Sequence, residues 1–159
     1  MKGNELKILP IDNKDNTNID LFFDLISKEP QLHGDFKKED WLGQHIFEIH
    51  HKDKLVGFIA YCYWDKAYCL SCIYILEEFR NLGIATAVIR KLINKFKDKT
   101  TLLYGFVYKN NAPAIKIYKN FGFKFLSKNN YYEVDNPSPE ACPLDNDFYE
   151  FGLELQYAR

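Results

Sequence analysis

No apolar run in this 159-residue chain is longer than ten residues, Leu55 to Trp64. A membrane-spanning helix needs about 20, so none is expected. No apolar signal core succeeds Met1-Lys2-Gly3-Asn4-Glu5, which makes a cytoplasmic location the expectation. Four cysteines are too few to read as a disulfide framework in a chain of this size. Cys69 and Cys72 form a C-x-x-C, but it falls inside Ala67–Ile75, a strand-like segment. Side chains three apart on a strand point to opposite faces, so the pair is not expected to hold a metal. Excess charge of one sign is also missing. Twenty-one Lys and Arg against 22 Asp and Glu give a net −1, which argues against a generic nucleic-acid binder. Internal repeats and low-complexity stretches are absent. With 47% hydrophobic and 27% charged residues, the expectation is one soluble globular domain over residues 1–159.

Leu6 to Pro10 predicts a short strand, and Ile19, Phe22, Phe23 and Ile26 have helical spacing, with Pro30 as the stop. Phe36–Trp41 reads as a second short helix. His45–His50 and Leu55–Trp64 predict a hairpin around Lys52-Asp53, and Ala67–Ile75 the next strand. Both faces of Leu55–Trp64 are apolar, as in a sheet covered on both sides. Ile84–Lys97 is the clearest helix, with Ala85, Val88, Leu92 and Phe96 on one face. Thr101–Val107 reads as a strand, Ala112–Asn120 as a helix stopped at Gly122, and Phe125 and its neighbours as a strand. After a proline-bearing loop over Asp135–Asp147, clean alternation from Phe148 predicts a half-exposed final strand. The fold class is mixed α/β (α+β). It has about seven strands, mostly antiparallel, with helices on both faces and a right-handed crossover between Ala67 and Val107.

Near-neutrality hides an asymmetry. Residues 1–83 carry ten basic and fourteen acidic side chains, residues 84–128 ten and one, and residues 129–159 one and seven. A basic middle therefore lies between acidic flanks, and it suits either an anion or a solvated helix face. It begins at a strand–turn–helix, Glu77-Glu78-Phe79-Arg80-Asn81-Leu82-Gly83-Ile84-Ala85-Thr86. Small residues at a helix start permit close backbone approach. The first amides lack internal partners and carry the positive end of the dipole, an arrangement that binds phosphate. The glycine fingerprints of dinucleotide-binding and Walker loops are absent. One glycine and one arginine at a helix start also suit a tight structural turn.

Arg80-x-x-Gly83-x-Ala85 resembles the R/Q-x-x-G-x-G/A pyrophosphate loop of the GNAT acyltransferase superfamily. Asn111-x-x-Ala114-Ile115-x-x-Tyr118-x-x-x-Gly122-Phe123 resembles that family's second element, in the expected strand–helix context. Asn130-Tyr131-Tyr132 and the closing segment Asp147–Leu155 look like its final hairpin. The resemblance covers residues 45–157 closely, and the first 44 only by order of elements.

The resemblance implies N-acetyl transfer from acetyl-CoA to a primary amine on a small molecule, peptide or protein. It implies a splayed parallel strand pair, Ala67–Ile75 and Thr101–Val107, that admits the pantetheine arm of coenzyme A. Ile73, Tyr74 and Ile75 would bind that arm through their backbone, with the Ile75 N–H as an oxyanion donor. Arg80, Asn81, Leu82, Gly83, Ile84, Ala85 and Thr86 would cradle the pyrophosphate. Asn111 and Ala114 would line the cofactor side, Asn111 contacting coenzyme A or capping its helix. Tyr118 matches the general acid that protonates the leaving thiolate. Lys109, Lys116 and Lys119 are candidates to meet phosphates, and the acidic flanks to attract a cationic acceptor.

The carboxylate base of many relatives is missing. Ser71 and Cys72 stand at one of its usual strand positions. Phe106 stands where ribosomal-protein alanine acetyltransferases carry a glutamate. Glu48, Glu133, a water chain or an already neutral amine are the alternatives, as is an acyl-CoA-binding module without turnover. The resemblance is compatible with a homodimer. It implies neither nucleic acid nor membrane as a partner, and no metal.

Overall fold

A computed structural model describes residues 5–11, 17–34, 37, 39, 44–127, 129, 131–137 and 147–157. Strand β1 (Leu6–Pro10) precedes helices α1 (Thr17–Ser27) and α2 (Pro30–His33). Strands β2 (His45–His51), β3 (Lys54–Trp64) and β4 (Ala67–Ile75) come next. A short 3₁₀ turn over Glu77–Phe79 leads into α3 (Ile84–Phe96), β5 (Leu102–Tyr108) and α4 (Ala112–Asn120). The chain closes with β6 (Lys124–Leu126), β7 (Tyr132–Val134) and β8 (Phe148–Glu154). The strands form one sheet in the order β1-β2-β3-β4-β5-β8-β6-β7, antiparallel throughout except for the parallel β4–β5 pair.

Eight strands stand where the sequence predicts about seven. The addition is β7, whose three residues are too few to show a period. Pro30 does not merely stop α1. It occupies the first turn of α2, where its missing N–H costs nothing. The helix expected at Phe36–Trp41 lies outside the described residues except for 37 and 39. Both early hairpins turn on two residues with positive φ, Lys52-Asp53 (50° and 62°) and Asp65-Lys66 (50° and 63°). These are type I′ turns, whose twist matches that of the flanking strands.

Each face of the sheet is covered. α3 buries Ile84, Val88, Ile89, Leu92, Ile93 and Phe96 against Ile59, Tyr61, Leu70, Leu103 and Phe151. Side chains of this kind contribute about 1.5–3 kcal/mol each on full burial. On the other face α1 presses Phe22 and Ile26 onto Phe58 and Tyr74, with Phe22 and Phe58 in tilted ring contact at 5.2 Å.

The β4–β5 junction shapes the site. β4 pairs with β3 along its whole length, and β5 pairs with β8 from Leu102 to Tyr108. The two halves join through three residue pairs, Tyr68–Leu103, Cys69–Tyr104 and Leu70–Gly105. At the last pair the backbones are so close that a Cβ on Gly105 would stand 2.3 Å from the Leu70 carbonyl oxygen. Beyond it the strands part. A bulge sets the parting point. Ala60 pairs with Cys72 and Tyr61 with Leu70, which leaves Ser71 as the extra residue, and such an insertion bends its strand. The Ser71 hydroxyl donates to Gln44 Oε1 at 2.7 Å. The bulge also corrects the expected orientation of the cysteines. Cys62 and Ala60 share a face of β3, and their partners are Cys69 and Cys72. Both thiols therefore face the same side.

Arg80 ties the two ends of the first half together. Its Nη1 and Nη2 donate to Glu29 Oε1 and Oε2 at 2.8 and 2.7 Å, and its Nε donates to the Ile75 carbonyl at 2.9 Å. The guanidinium carbon lies 5.3 Å from the centre of the Tyr74 ring. This fork fixes the α1–α2 corner to the end of β4. It also holds the Glu29 carboxyl down at about 2 from an ordinary 4.5. A depressed carboxyl contributes stability above its unfolded pKa and loses it as pH falls through the folded one.

Stability measurements test both contacts. In urea unfolding, Gly105→Ala is expected to cost about 1–3 kcal/mol, the usual range for forced overpacking. In thermal melts, Glu29→Gln is expected to be less stable than wild type at pH 7, with the difference shrinking as the pH falls from about 4.5 towards 2.

Candidate cofactor site and active site

Where β4 and β5 part, a cavity of about 460 Å³ opens. β4 supplies Ile73, Tyr74 and Ile75 to its wall. The next loop and the start of α3 supply Arg80, Asn81, Gly83, Ile84, Ala85 and Thr86, and the α4 region supplies Asn111, Ala114 and Tyr118. Leu82 is the one residue of the expected set that stays off the wall; its side chain is 60% exposed to solvent.

The loop is built to leave its amides open. Asn81 (φ 63°) and Gly83 (φ 80°) are both left-handed. Gly83 caps α3 without any side-chain hydrogen bond. The first backbone bond at the helix start is from Ala87 N–H to the Gly83 carbonyl, 3.0 Å. A Cβ on Gly83 would meet nothing within 4 Å, so the glycine serves the backbone conformation rather than packing. The open helix end faces the cavity and carries the dipole's positive pole.

Arg80 contributes differently from the expected phosphate contact, because its guanidinium is engaged by Glu29 and Ile75. The basic stretch after it is also largely committed. Arg90 lies over the Phe121 ring, Lys91 donates to the Leu6 carbonyl, and Lys95 donates to the Tyr61 hydroxyl. Lys109 pairs with Asp147 and Lys119 with Asn136. Lys116 is exposed on α4. None of Lys109, Lys116 and Lys119 lines the cavity.

Asn111 caps α4, its Oδ1 accepting the Ala114 N–H at 3.3 Å, and also lines the cavity. Tyr118 is buried at 5% exposure, stacked on Phe151 at 4.0 Å and edge-on to Phe123. Its hydroxyl has no hydrogen-bond partner among the described residues. Burial, with Cys72 nearby, raises its pKa well above the usual 10, so the phenol keeps its proton.

A smaller chamber, about 70 Å³, lies through the gap. Ser71, Cys72, Phe106, Tyr108 and Phe148 line it, with Ile26 from α1. Leu32, His33, Ile73, Asn111, Ala114 and Tyr118 border both chambers. No carboxylate among the described residues lines either one. Glu48 is engaged by Asn18 and His50 on β2, and Glu133 is exposed on β7. Burial pushes the Cys72 thiol up to about 12. Burial and Glu29 push Tyr74 to about 12 as well. Leu32 and His33 carry no pattern that marks them in the sequence; α2 brings them in from across the sheet. No three His, Cys, Asp or Glu side chains among the described residues gather closely enough to hold a metal. No described helix is long and apolar enough to cross a membrane.

Residues 15–123 match the acetyltransferase (GNAT) family model. The chain is 35% identical over 76 residues to an N-alpha-acetyltransferase of Sulfurisphaera tokodaii, covering 45% of this chain and 46% of that protein. The chain thus spans less than half the length of the curated relatives it matches. A GNAT acetyltransferase from Staphylococcus aureus superposes with a TM-score of 0.70 at 17% identity, over 94% of this chain and 99% of the other. One from Elizabethkingia anophelis with acetyl-CoA bound gives 0.66 at 18% identity, over 95% and 99%. The match spans more than half of the sequence, and its fold is the one seen here: the chain belongs to the acetyltransferase (GNAT) family.

Proposed function

We propose that this protein moves an acetyl group from acetyl-CoA to a primary amine by direct attack. One observation carries the reading: an uncapped helix end and an unpaired strand edge open into one cavity, which Tyr118 also lines. Each part suits a part of the cofactor. The amides of residues 81–86 suit a pyrophosphate. The β4 edge beyond Leu70, free of β5, suits the amide-bearing pantetheine, which would add to the sheet as a further strand. Ile73, Tyr74 and Ile75 would make those backbone contacts, placing the Ile75 N–H against the thioester oxygen. Acetyl-CoA in the Elizabethkingia anophelis neighbour supports this choice of co-substrate.

Tyr118 then acts as the general acid. The amine attacks the thioester carbonyl carbon, the C–S bond breaks, and the phenol donates its proton to the departing sulfur. Its raised pKa keeps that proton in place until the thiolate forms. The smaller chamber beyond the gap receives the acceptor. The curated relatives are named for α-amino acetylation, which favours a peptide α-amine. A spermidine N-acetyltransferase among the structural neighbours makes polyamines the comparison to run.

Thiol release from acetyl-CoA, measured with a free-α-amine tetrapeptide, lysine and spermidine, tests the reading. Release with at least one amine is expected. Acetyl-CoA binding without release from any of the three would instead mark a binding module. Tyr118→Phe keeps the ring stack on Phe151 and is expected to leave acetyl-CoA affinity unchanged while lowering turnover about tenfold or more. Unchanged turnover would remove Tyr118 from the mechanism.

A further inference from the structure

We infer that His33 is the base that takes the proton from the acceptor amine. The inference rests on the transfer reading above and assigns the role that β4 and β5 leave vacant. His33 ends α2 and borders both chambers, as Tyr118 does. The two residues therefore border the same neck from elements on opposite faces of the sheet, Tyr118 from α4 and His33 from α2. The ring nitrogens of His33 have no hydrogen-bond partner among the described residues, so neither is committed to another group.

The surroundings favour a neutral imidazole. Burial lowers its pKa below 6.5, and the Arg80 charge lowers it further, while Glu29 acts in the opposite sense. The other titratable groups bordering these chambers are unsuited to the task. Arg80 is a permanent cation, Tyr74 and Cys72 hold their protons to about 12, and Tyr118 holds its proton more tightly than a free phenol. Tyr108 of β5 completes the set. The ring also has a fixed seat. It lies 5.7 Å from the Tyr74 ring, and its backbone N–H donates to the Glu29 carbonyl at 3.2 Å. Glu29 is in turn held by the Arg80 fork. The clamp between the α1–α2 corner and β4 thus becomes the support of the base.

The proton balance closes. His33 takes one proton from the ammonium. The freed lone pair forms the N–C bond, and the C–S electron pair leaves on sulfur. Tyr118 protonates the sulfur, and the second amine proton returns to the tyrosinate through solvent. The imidazolium releases its proton to water. A base below 6.5 fits an α-amine of about 8 better than a lysine amine of about 10.4, so peptide α-amines are the acceptors it serves best.

The test is the pH profile of kcat/KM with the fastest acceptor of the three-amine panel. Wild type is expected to lose activity below the pKa of His33. In His33→Ala that acid limb should disappear, with kcat/KM at pH 7 down by about 10²-fold or more. Acetyl-CoA affinity should be unchanged, and added imidazole should restore part of the rate. His33→Gln, which keeps polarity and bulk, should behave like His33→Ala without imidazole. Arg80→Gln should move the limb to higher pH, because a cation that lowers the His33 pKa is removed. A limb that survives in both His33 variants would overturn the assignment. So would equal loss of acetyl-CoA affinity in both, since that would mark a structural role. Wild-type protein that releases no thiol with any amine would overturn the transfer reading and this one together; wild-type turnover with unaffected His33 variants would overturn this one alone.

Discussion

The contact between β4 and β5 lasts for three residue pairs, and the position of its last pair, Leu70 with Gly105, sets where every other part of the site lies. Each strand is held by its other neighbour from end to end, β4 by β3 with Ser71 alone bulged out and β5 by β8. Neither can bend to rejoin the other without breaking an antiparallel ladder. The bulge at Ser71 and the absent Cβ at Gly105 place the parting within one residue step. Backbone polar groups exposed by that parting need partners, and an amide-bearing ligand can supply them.

Two helix ends converge on the opening because each of the parted strands runs on into a helix. β4 runs through the Glu77–Phe79 turn into α3, and β5 runs through Asn111 into α4. The helices start near the open end of the sheet, and their apolar faces hold them to one side of it. The other side belongs to α1 and α2, where α1 is held by the apolar cluster of Phe22, Ile26, Phe58 and Tyr74 and the α1–α2 corner by the Arg80–Glu29 fork. An arginine next to the glycine turn at the head of α3 thus serves architecture, tying β4 to the α1–α2 corner. A charged side chain is defined by the partner that the fold brings within reach, and Glu29 is 51 positions away.

The charge asymmetry of the chain has a similar lesson. The basic run over residues 84–128 suggests a surface for an anion, yet its side chains are mostly spent on packing and pairing: Lys91 on a β1 carbonyl, Arg90 on an aromatic ring, Lys109 on Asp147. The open cavity is lined instead by the free backbone amides at the head of α3, which carry no signature in a charge count.

Local features were legible in the sequence because they depend on neighbours a few positions apart. The period of α3, the hairpin turns, the glycine turn at the head of α3, the left-handed Gly122 after α4 and the cap at Asn111 are of this kind. They account for nearly all of the cavity wall, since that wall is two strand–turn–helix units. β7 was too short to show a period, and the face of Cys72 could not be read because a bulge is invisible without its partner strand. His33, the Arg80–Glu29 fork and the three-pair limit of β4–β5 are contacts between distant segments. Only the packing of the sheet against α1 and α2 decided them, because the sequence specifies periodicity locally but brings a histidine and a tyrosine 85 positions apart to one opening only through the closed tertiary structure.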